Sequence, residues 1–270
     1  MKKPLFWILA VVITIASAYY QRKTGPTYPK KIDVKVSENI LSFKLPRSNL
    51  SDYDCKIEIP VRNENIKGKI FYKRFPTNEG FLTIDLKYEN SQLIGFLPKQ
   101  DPAGKLEYFI EFNDGNSVAE TDHTVIRFKG SVPNWILIPH ILFMFIAMLI
   151  SNLAGLFAFG KLDKHVFYAK LAFWMLVLGG FVFGPMVQFY AFGQAWTGIP
   201  YGWDLTDNKT LIAILFWLIA VLGNRKNPKY RYTIIAAIVL FLIYIIPHSM
   251  FGSELNYTSG EVVTGFITMF

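Results

Sequence analysis

Residues Trp135–Phe159 read WILIPHILFMFIAMLISNLAGLFAF, a run without Asp, Glu, Lys or Arg. It exceeds the roughly 20 apolar residues that a helix needs to cross a bilayer. Phe167–Phe192, Leu205–Gly223 and Tyr232–Met250 repeat the pattern, the last two more briefly. Four transmembrane helices are therefore expected within residues 135–250, at 135–159, 167–192, 205–223 and 232–250. The polar side chains lie elsewhere. Residues 21–134 hold 18 of the 28 Lys and Arg and 15 of the 20 Asp and Glu, whereas residues 135–270 hold 8 and 5. Charged residues make up only 18% of the chain, against about 25% in a soluble domain. A membrane region joined to a polar domain is the expected organisation.

Lys2 and Lys3 precede the apolar run Leu5–Ile15, and Ala16-Ser17-Ala18 comes directly after it. A short basic stretch, an apolar core and an A-x-A site describe a secretory signal. An uncleaved helix running to Tyr20 is the competing reading. Residues 1–20 are thus a signal peptide or an N-terminal anchor, and either one exports the polar domain behind it. Lys161, Lys164 and Lys170 flank the first connection between the predicted helices, and Arg225, Lys226, Lys229 and Arg231 fill the third. The second has only Lys209, and the tail 251–270 has no Lys or Arg. The positive-inside rule puts the first and third connections in the cytoplasm. The polar domain, the loop 191–209 and the tail then share the exported, periplasmic or extracellular face of a multi-pass protein of the cell inner membrane. The net charge of +8 needs no nucleic acid, because much of it sits in those loops.

Between Ile32 and Phe128, short β-prone runs alternate with turn residues: Ile32–Val36, Ile40–Leu45, Cys55–Val61, Lys67–Lys73, Phe81–Tyr88, Gln92–Leu97, Lys105–Phe112 and Thr124–Phe128. Seven or eight strands with turns every 8–12 residues point to an all-β sandwich over 28–131. Leu97-Pro98, the strand Gly104-Lys105-Leu106-Glu107-Tyr108-Phe109-Ile110-Glu111-Phe112 and the turn Asp114-Gly115 resemble the late strands of bacterial fibronectin type III or immunoglobulin-like modules. The resemblance implies a domain that binds, spaces or scaffolds, and a protein partner on the exported or membrane side. Within this domain His123 reads as a solvated loop residue without the partners that chemistry needs. Cys55, the only cysteine, reads as a small buried hydrophobe; alone, it excludes a disulfide framework and a Cys-based zinc or iron–sulfur site.

The candidate chemistry gathers at the exported face. Ile138-Pro139-His140 lies one turn into the first helix of the four, and Ile246-Pro247-His248 ends the last. Opposite helix directions place both histidines at similar depth, and ionisable residues in membrane segments are functional candidates by default. Met144 and Met148 come after His140 at i+4 and i+8, on one helix face. His and Met suit haem iron and copper, and Gly180 and Gly184 leave room for a neighbouring helix or a macrocycle. In the loop AFGQAWTGIPYGWDLTDNKT, residues 191–210, Thr206 or Asp207 is placed to cap the next helix. Asp204 is left to orient a histidine or to pair with Lys209. Gln188, Tyr190, Trp203, Asp204 and Glu254 are candidate lining of a pocket for a quinol head group.

Three functions compete at this level. An electron-transfer or quinol-interacting subunit would use His140 and His248 to hold a b-type haem, a metal such as copper, or a quinol. A non-enzymatic binding, assembly or anchoring protein would dock an exported partner on its β-domain. A transporter ranks last, because four helices without an internal repeat offer little of a substrate pathway.

Overall fold

The described residues of the computed structural model, 2–247 and 252–264, fall into two units. One holds the chain up to Pro26 together with 132–252, and the other holds Thr27–Ser131 with Ser253–Val263.

The first unit is helical. Helix α1 (Lys2–Thr24) is succeeded, beyond the β-strands, by α2 (Asn134–Phe159) and α3 (His165–Leu176). A π-helical stretch (Val177–Phe183) carries α3 on into α4 (Gly184–Phe192), and α5 (Leu205–Gly223) and α6 (Tyr230–Ile245) complete the unit. Four helices are long and apolar enough to cross a membrane: α1, α2, the span from α3 through α4, and α5; α6 is a shorter apolar helix. Their mutual faces are rich in small residues, among them Ala147, Ala154, Ala172, Ala213, Ala220 and Ala236. Small side chains let helix backbones approach and pack without a large hydrophobic driving force. At Gly155 of α2 an added Cβ would lie 2.7 Å from that of Ala237.

Helix α1 runs antiparallel to α2. Phe6 packs against Phe157 and Gly160, Asn152 Nδ2 donates to Thr14 Oγ1 at 3.0 Å, and Ser17 Oγ lies 3.9 Å from the sulfur of Met148. The start of α1 therefore lies beside the end of α2. Tyr230 Oη donates to the Lys161 carbonyl at 3.3 Å, which brings the α5–α6 connection to the same end. We call this the basic end; the chain leaves for the second unit from the ends of α1 and α6 and the start of α2, all opposite.

Two expected helix boundaries change. The last helix ends at Ile245, not Met250. A residue before proline is driven out of helical backbone, and Ile246, before Pro247, has φ −68° and ψ 120°. Residues 248–250 lie outside the described residues. The span expected at 167–192 begins at His165 and is not uniform. Pro185 brings no N–H and crowds the carbonyl four residues back, and the π-helical turns just before it accommodate that mismatch.

The second unit is built of strands whose buried and exposed residues alternate, as in Cys55–Pro60 and Lys105–Asn113. In chain order they are β1 (Lys30–Val36), β2 (Asn39–Leu45), β3 (Ser48–Leu50), β4 (Cys55–Pro60), β5 (Lys67–Arg74), β6 (Leu82–Asp85), β7 (Lys87–Glu89), β8 (Gln92–Leu97), β9 (Lys105–Asn113), β10 (Val118–Glu120) and β11 (Thr124–Lys129). One sheet has the order β3-β11-β9-β5-β6, with β10 also paired to β9; another has the order β4-β8-β7; β1 and β2 form a hairpin. All pairs are antiparallel except β3 with β11. Ile57, Ile70, Leu97, Tyr108, Phe112 and Phe128 belong to one core shared by these sheets. The single strand expected at Phe81–Tyr88 divides, because the chain changes sheets at Leu86. Its methyls fill the space over Gly68 and Gly95, where a Cβ would come within 2.6 and 2.5 Å. The Asp114-Gly115 turn forms as expected. Hydrogen bonds from Ser37, Ser117 and Asn116 hold the Asp114 carboxyl down at about 2.

The tail expected at 251–270 is built into the β unit over Ser253–Val263. Strands β12 (Ser253–Leu255) and β13 (Val262–Thr264) form a hairpin that completes the β unit. Leu255 N–H donates to the Ala103 carbonyl at 3.1 Å, and Arg127 donates to the Ser253 carbonyl. The Lys105 ammonium pairs with the Glu254 carboxylate, both largely buried. The Tyr257 hydroxyl accepts from Lys105 N–H at 2.9 Å and lies 2.8 Å from the Lys105 carbonyl, to which it donates. Burial pushes that phenol up to about 12. A raised folded-state pKa supports stability below the unfolded value near 10 and loses it as pH rises through about 12. Glu254→Gln strands the Lys105 charge and is expected to weaken the hairpin by roughly 1.5–3 kcal/mol. Hydrogen exchange at Leu255 should accelerate accordingly, and wild-type exchange there should show a similar loss of protection above pH 11.

Candidate functional site

At the end opposite the basic loops the expected residues have specific partners. His140 Nδ1 lies 2.9 Å from the Gly179 carbonyl, inside the π-helical stretch. A carbonyl can only accept, so the Nδ1 carries the proton and Nε2 keeps its lone pair. This is the arrangement found where a histidine ligates through its other nitrogen, and equally one that adds a second donor to a carbonyl of the π-helical stretch. Met144 lies beside the same glycine, whereas Met148 turns elsewhere. Met144 fills the space over Gly179, where a Cβ would meet its sulfur at 2.9 Å, while Met148 is buried toward Ser17 of α1. The room expected at Gly180 is taken by Thr210, 2.6 Å from a Cβ placed there. At Gly184 the nearest side-chain atom is His140 Cε1, at 3.9 Å. His248, the second expected ligand, lies outside the described residues. Among the described residues no cluster of three or more His, Cys, Asp or Glu could hold a metal ion.

The loop before α5 is tied down by its own polar groups. Asp204, not Thr206 or Asp207, is the cap of α5, accepting from Thr206 N–H at 2.8 Å and Asp207 N–H at 3.3 Å. Asp207 accepts from Thr197 N–H at 2.6 Å, and Gln188 Nε2 donates to Thr197 Oγ1 at 2.6 Å. Lys209, 4% exposed, donates to the carbonyls of Ile246 and Pro247 at 2.9 and 3.4 Å. Its ammonium thereby bonds the carbonyls just past the end of α6, where basic side chains commonly sit. Of the pocket lining expected here, Gln188 and Asp204 are engaged in these bonds, Tyr190 and Trp203 are exposed, and Glu254 belongs to the β unit.

Two constellations have no signal in the sequence. At the basic end His165 Nδ1 lies 3.1 Å from Thr233 Oγ1, which also accepts from Asn224 Nδ2 at 3.2 Å; all three side chains are buried. On the β unit, His123 is not the partnerless residue expected. Its ring stacks on Phe109 at 4.6 Å, and Nδ1 lies 2.7 Å from Glu107 Oε1. Phe109 stacks on Phe71 at 4.9 Å, and Phe81 meets both Phe109 and His123 edge-on. Lys73 pairs with the other Glu107 oxygen at 3.3 Å and lies over the Phe81 ring. Burial alone would raise the Glu107 carboxyl, but hydrogen bonds from His123 and Lys73 outweigh it and hold the group below its ordinary value. The result is a half-exposed aromatic face on β5, β9 and their flanking loops, with its charges neutralised from within.

The chain matches no known family model, no curated protein and no solved structure. The function must come from these constellations. None of them places an activated nucleophile or an acid–base pair beside an open cavity, as a catalytic reading would need. His140→Ala should remove one hydrogen bond to the Gly179 carbonyl and destabilise the helical unit by about 0.5–1.5 kcal/mol. His140→Asn, which keeps a donor, should recover part of that in a detergent melt. An identical loss in both variants would mean that the histidine acts through Nε2.

Proposed function

We propose that the chain is an integral membrane protein of the cell inner membrane that anchors an exported β-module and presents its aromatic face to a protein partner. The cluster Phe71, Phe81, Phe109 and His123 carries this reading. Aromatic side chains at a solvent face are the anchors of protein interfaces. Here the ring faces are spent on stacking against one another, so edges are left for a partner. That favours a protein surface over a sugar, which needs free ring faces. The internal pairing of Glu107 with Lys73 and His123 lowers the cost of desolvating the patch.

The topology rests on parity. Ser131 and Ser253 belong to one folded unit, so the chain between them crosses a membrane an even number of times. Helix α2, the α3–α4 span and α5 make three crossings, and α6 is the fourth despite its length. Lys2 and Lys3 start the chain at the end that carries Lys161, Lys164, Arg225 and Lys226, which faces the cytoplasm by the positive-inside rule. The packing of Thr14 and Ser17 against α2 favours an anchor over a cleaved signal, because the Ala16-Ser17-Ala18 site lies within α1. The strand orders β4-β8-β7 and β11-β9-β5 support reading the β unit as immunoglobulin-like, with these strands as B-E-D and G-F-C.

A second reading keeps one supporting observation, the Nδ1–H bond of His140 that leaves Nε2 free, as in a histidine holding a haem, a metal or a quinol. A visible absorption band in the purified protein that vanishes in His140→Ala would favour it.

Burial pushes the Cys55 thiol up to about 11, so the native chain should react poorly with maleimides. Tyr53→Cys should label in intact cells with an impermeant maleimide and Lys226→Cys only after lysis; the reverse pattern would overturn the topology. A photo-crosslinking residue at Phe81 should give one discrete adduct, absent from position 53 and lost with Phe109→Asp. Equal crosslinking at positions 81 and 53 would refute the aromatic face as the docking surface.

A further inference from the structure

At the basic end, Leu222, Gly223, Arg225, Lys226, Asn227, Lys229 and Tyr232 line an open cavity of about 690 Å³. Its shape is fixed by buried groups. Asn224, 2% exposed, donates to the Ala220 carbonyl at 2.7 Å and to Thr233 Oγ1 at 3.2 Å. Its own side-chain carbonyl accepts from Lys229 N–H at 2.7 Å. The Tyr232 ring lies against Gly223, 3.0 Å from where a Cβ would stand, so a larger residue there would press on that wall. The connection is thus held as a mould, with Asn224 clamped at one end and Thr233, bonded to His165, at the other.

The cations facing the cavity are not neutralised. Among the described residues Arg225, Lys226 and Lys229 form no ion pair, and all three are exposed. An anion is the complementary ligand. The volume falls in the range of small-molecule sites and exceeds what a bare phosphate fills. Beside the basic cup the outward surfaces of α5 and α6 are apolar, with Ile219, Leu222 and Ile235 each about half exposed. A ligand that joins a phosphate to hydrocarbon would use both surfaces. Basic pockets between membrane helices on the cytoplasmic side bind such head groups.

We infer that this cavity binds the phosphate head group of an anionic phospholipid, its acyl chains lying along α5 and α6. The inference rests on the reading of these helices as membrane-spanning. The test uses the full chain in nanodiscs, with phosphatidylglycerol and phosphatidylcholine at equal mole fraction, and counts retained lipid by native mass spectrometry. A basic side chain near a membrane surface favours an anionic lipid by about fivefold. Wild type should therefore retain phosphatidylglycerol at least about tenfold over phosphatidylcholine, and Arg225→Gln/Lys226→Gln/Lys229→Gln should lose that preference. Lys161→Gln/Lys164→Gln/Lys170→Gln, which removes equal charge at the same face, should keep it. The single exposed change Lys226→Gln, which leaves the clamp untouched, should lower the preference by about fivefold. An equal loss in the control triple variant, or no preference in wild type, would overturn the site. Displacement of the lipid by millimolar inorganic phosphate would make it a soluble-anion pocket instead. A chain that remains soluble without detergent and does not enter nanodiscs would refute the membrane reading itself.

Discussion

A polar group enclosed by apolar helices must find its partner inside the protein, because no water is there to take the bond. That constraint organises the helical unit. Pro185 and Pro247 each disrupt a helix, and in each place a side chain from another helix answers. His140 of α2 bonds the Gly179 carbonyl in the π-helical stretch ahead of Pro185, and Lys209 of α5 caps the carbonyls at the end of α6. The side chains that looked most like cofactor ligands or lone buried charges bond backbone carbonyls beside these irregularities. Asn152 with Thr14, and Asn224 with Thr233 and His165, obey the same rule between other helices. Buried polar pairs of this kind fix which faces meet in a way that Ala and Leu contacts do not.

Much of the architecture was legible because it is written in local pattern. The apolar runs gave α2 and α5 within a residue of their observed bounds, and eight β-prone runs gave the principal strands. The exceptions were non-local. Phe81–Tyr88 looks like one strand in isolation, but it divides because β5 and β8, which it must pair with, lie in different sheets. Glu254 seemed a membrane-face carboxylate because sequence cannot show its partner, Lys105, 149 residues earlier. His123 looked solvated because Glu107 and Phe109 are displayed by another strand.

The candidate site was legible in residue type, but not in the direction each side chain takes. Asp204, Gln188, His140 and Met144 are all in contact with something, as the sequence implied. What sequence could not give was direction. Met144 and Met148 share a helix face by spacing, yet one fills the gap over Gly179 and the other turns to α1, because two different helices cover successive turns of α2. Asp204 is the α5 cap because its backbone is the first to leave the helix, a distinction of two residues that the run Asp204-Leu-Thr-Asp207 does not decide on composition.

The hairpin that closes the β unit imposes an order on biosynthesis. Residues 27–131 are complete before α2 is made, but β12 and β13 appear only after α6. Until then Lys105 lacks the Glu254 carboxylate and the amide of Lys105 lacks the Tyr257 hydroxyl. Burial still lowers the Lys105 ammonium against the opposing pull of Glu254, so this lysine is poorly accommodated without its partner. The β core of Ile57, Ile70, Tyr108 and Phe128 contains nothing from the tail and can collapse early. Closure of its rim waits on the helices. Completion of the β unit therefore waits on the whole helical segment: β12 cannot bond Ala103 until α6 has been made and its end brought back to the β unit.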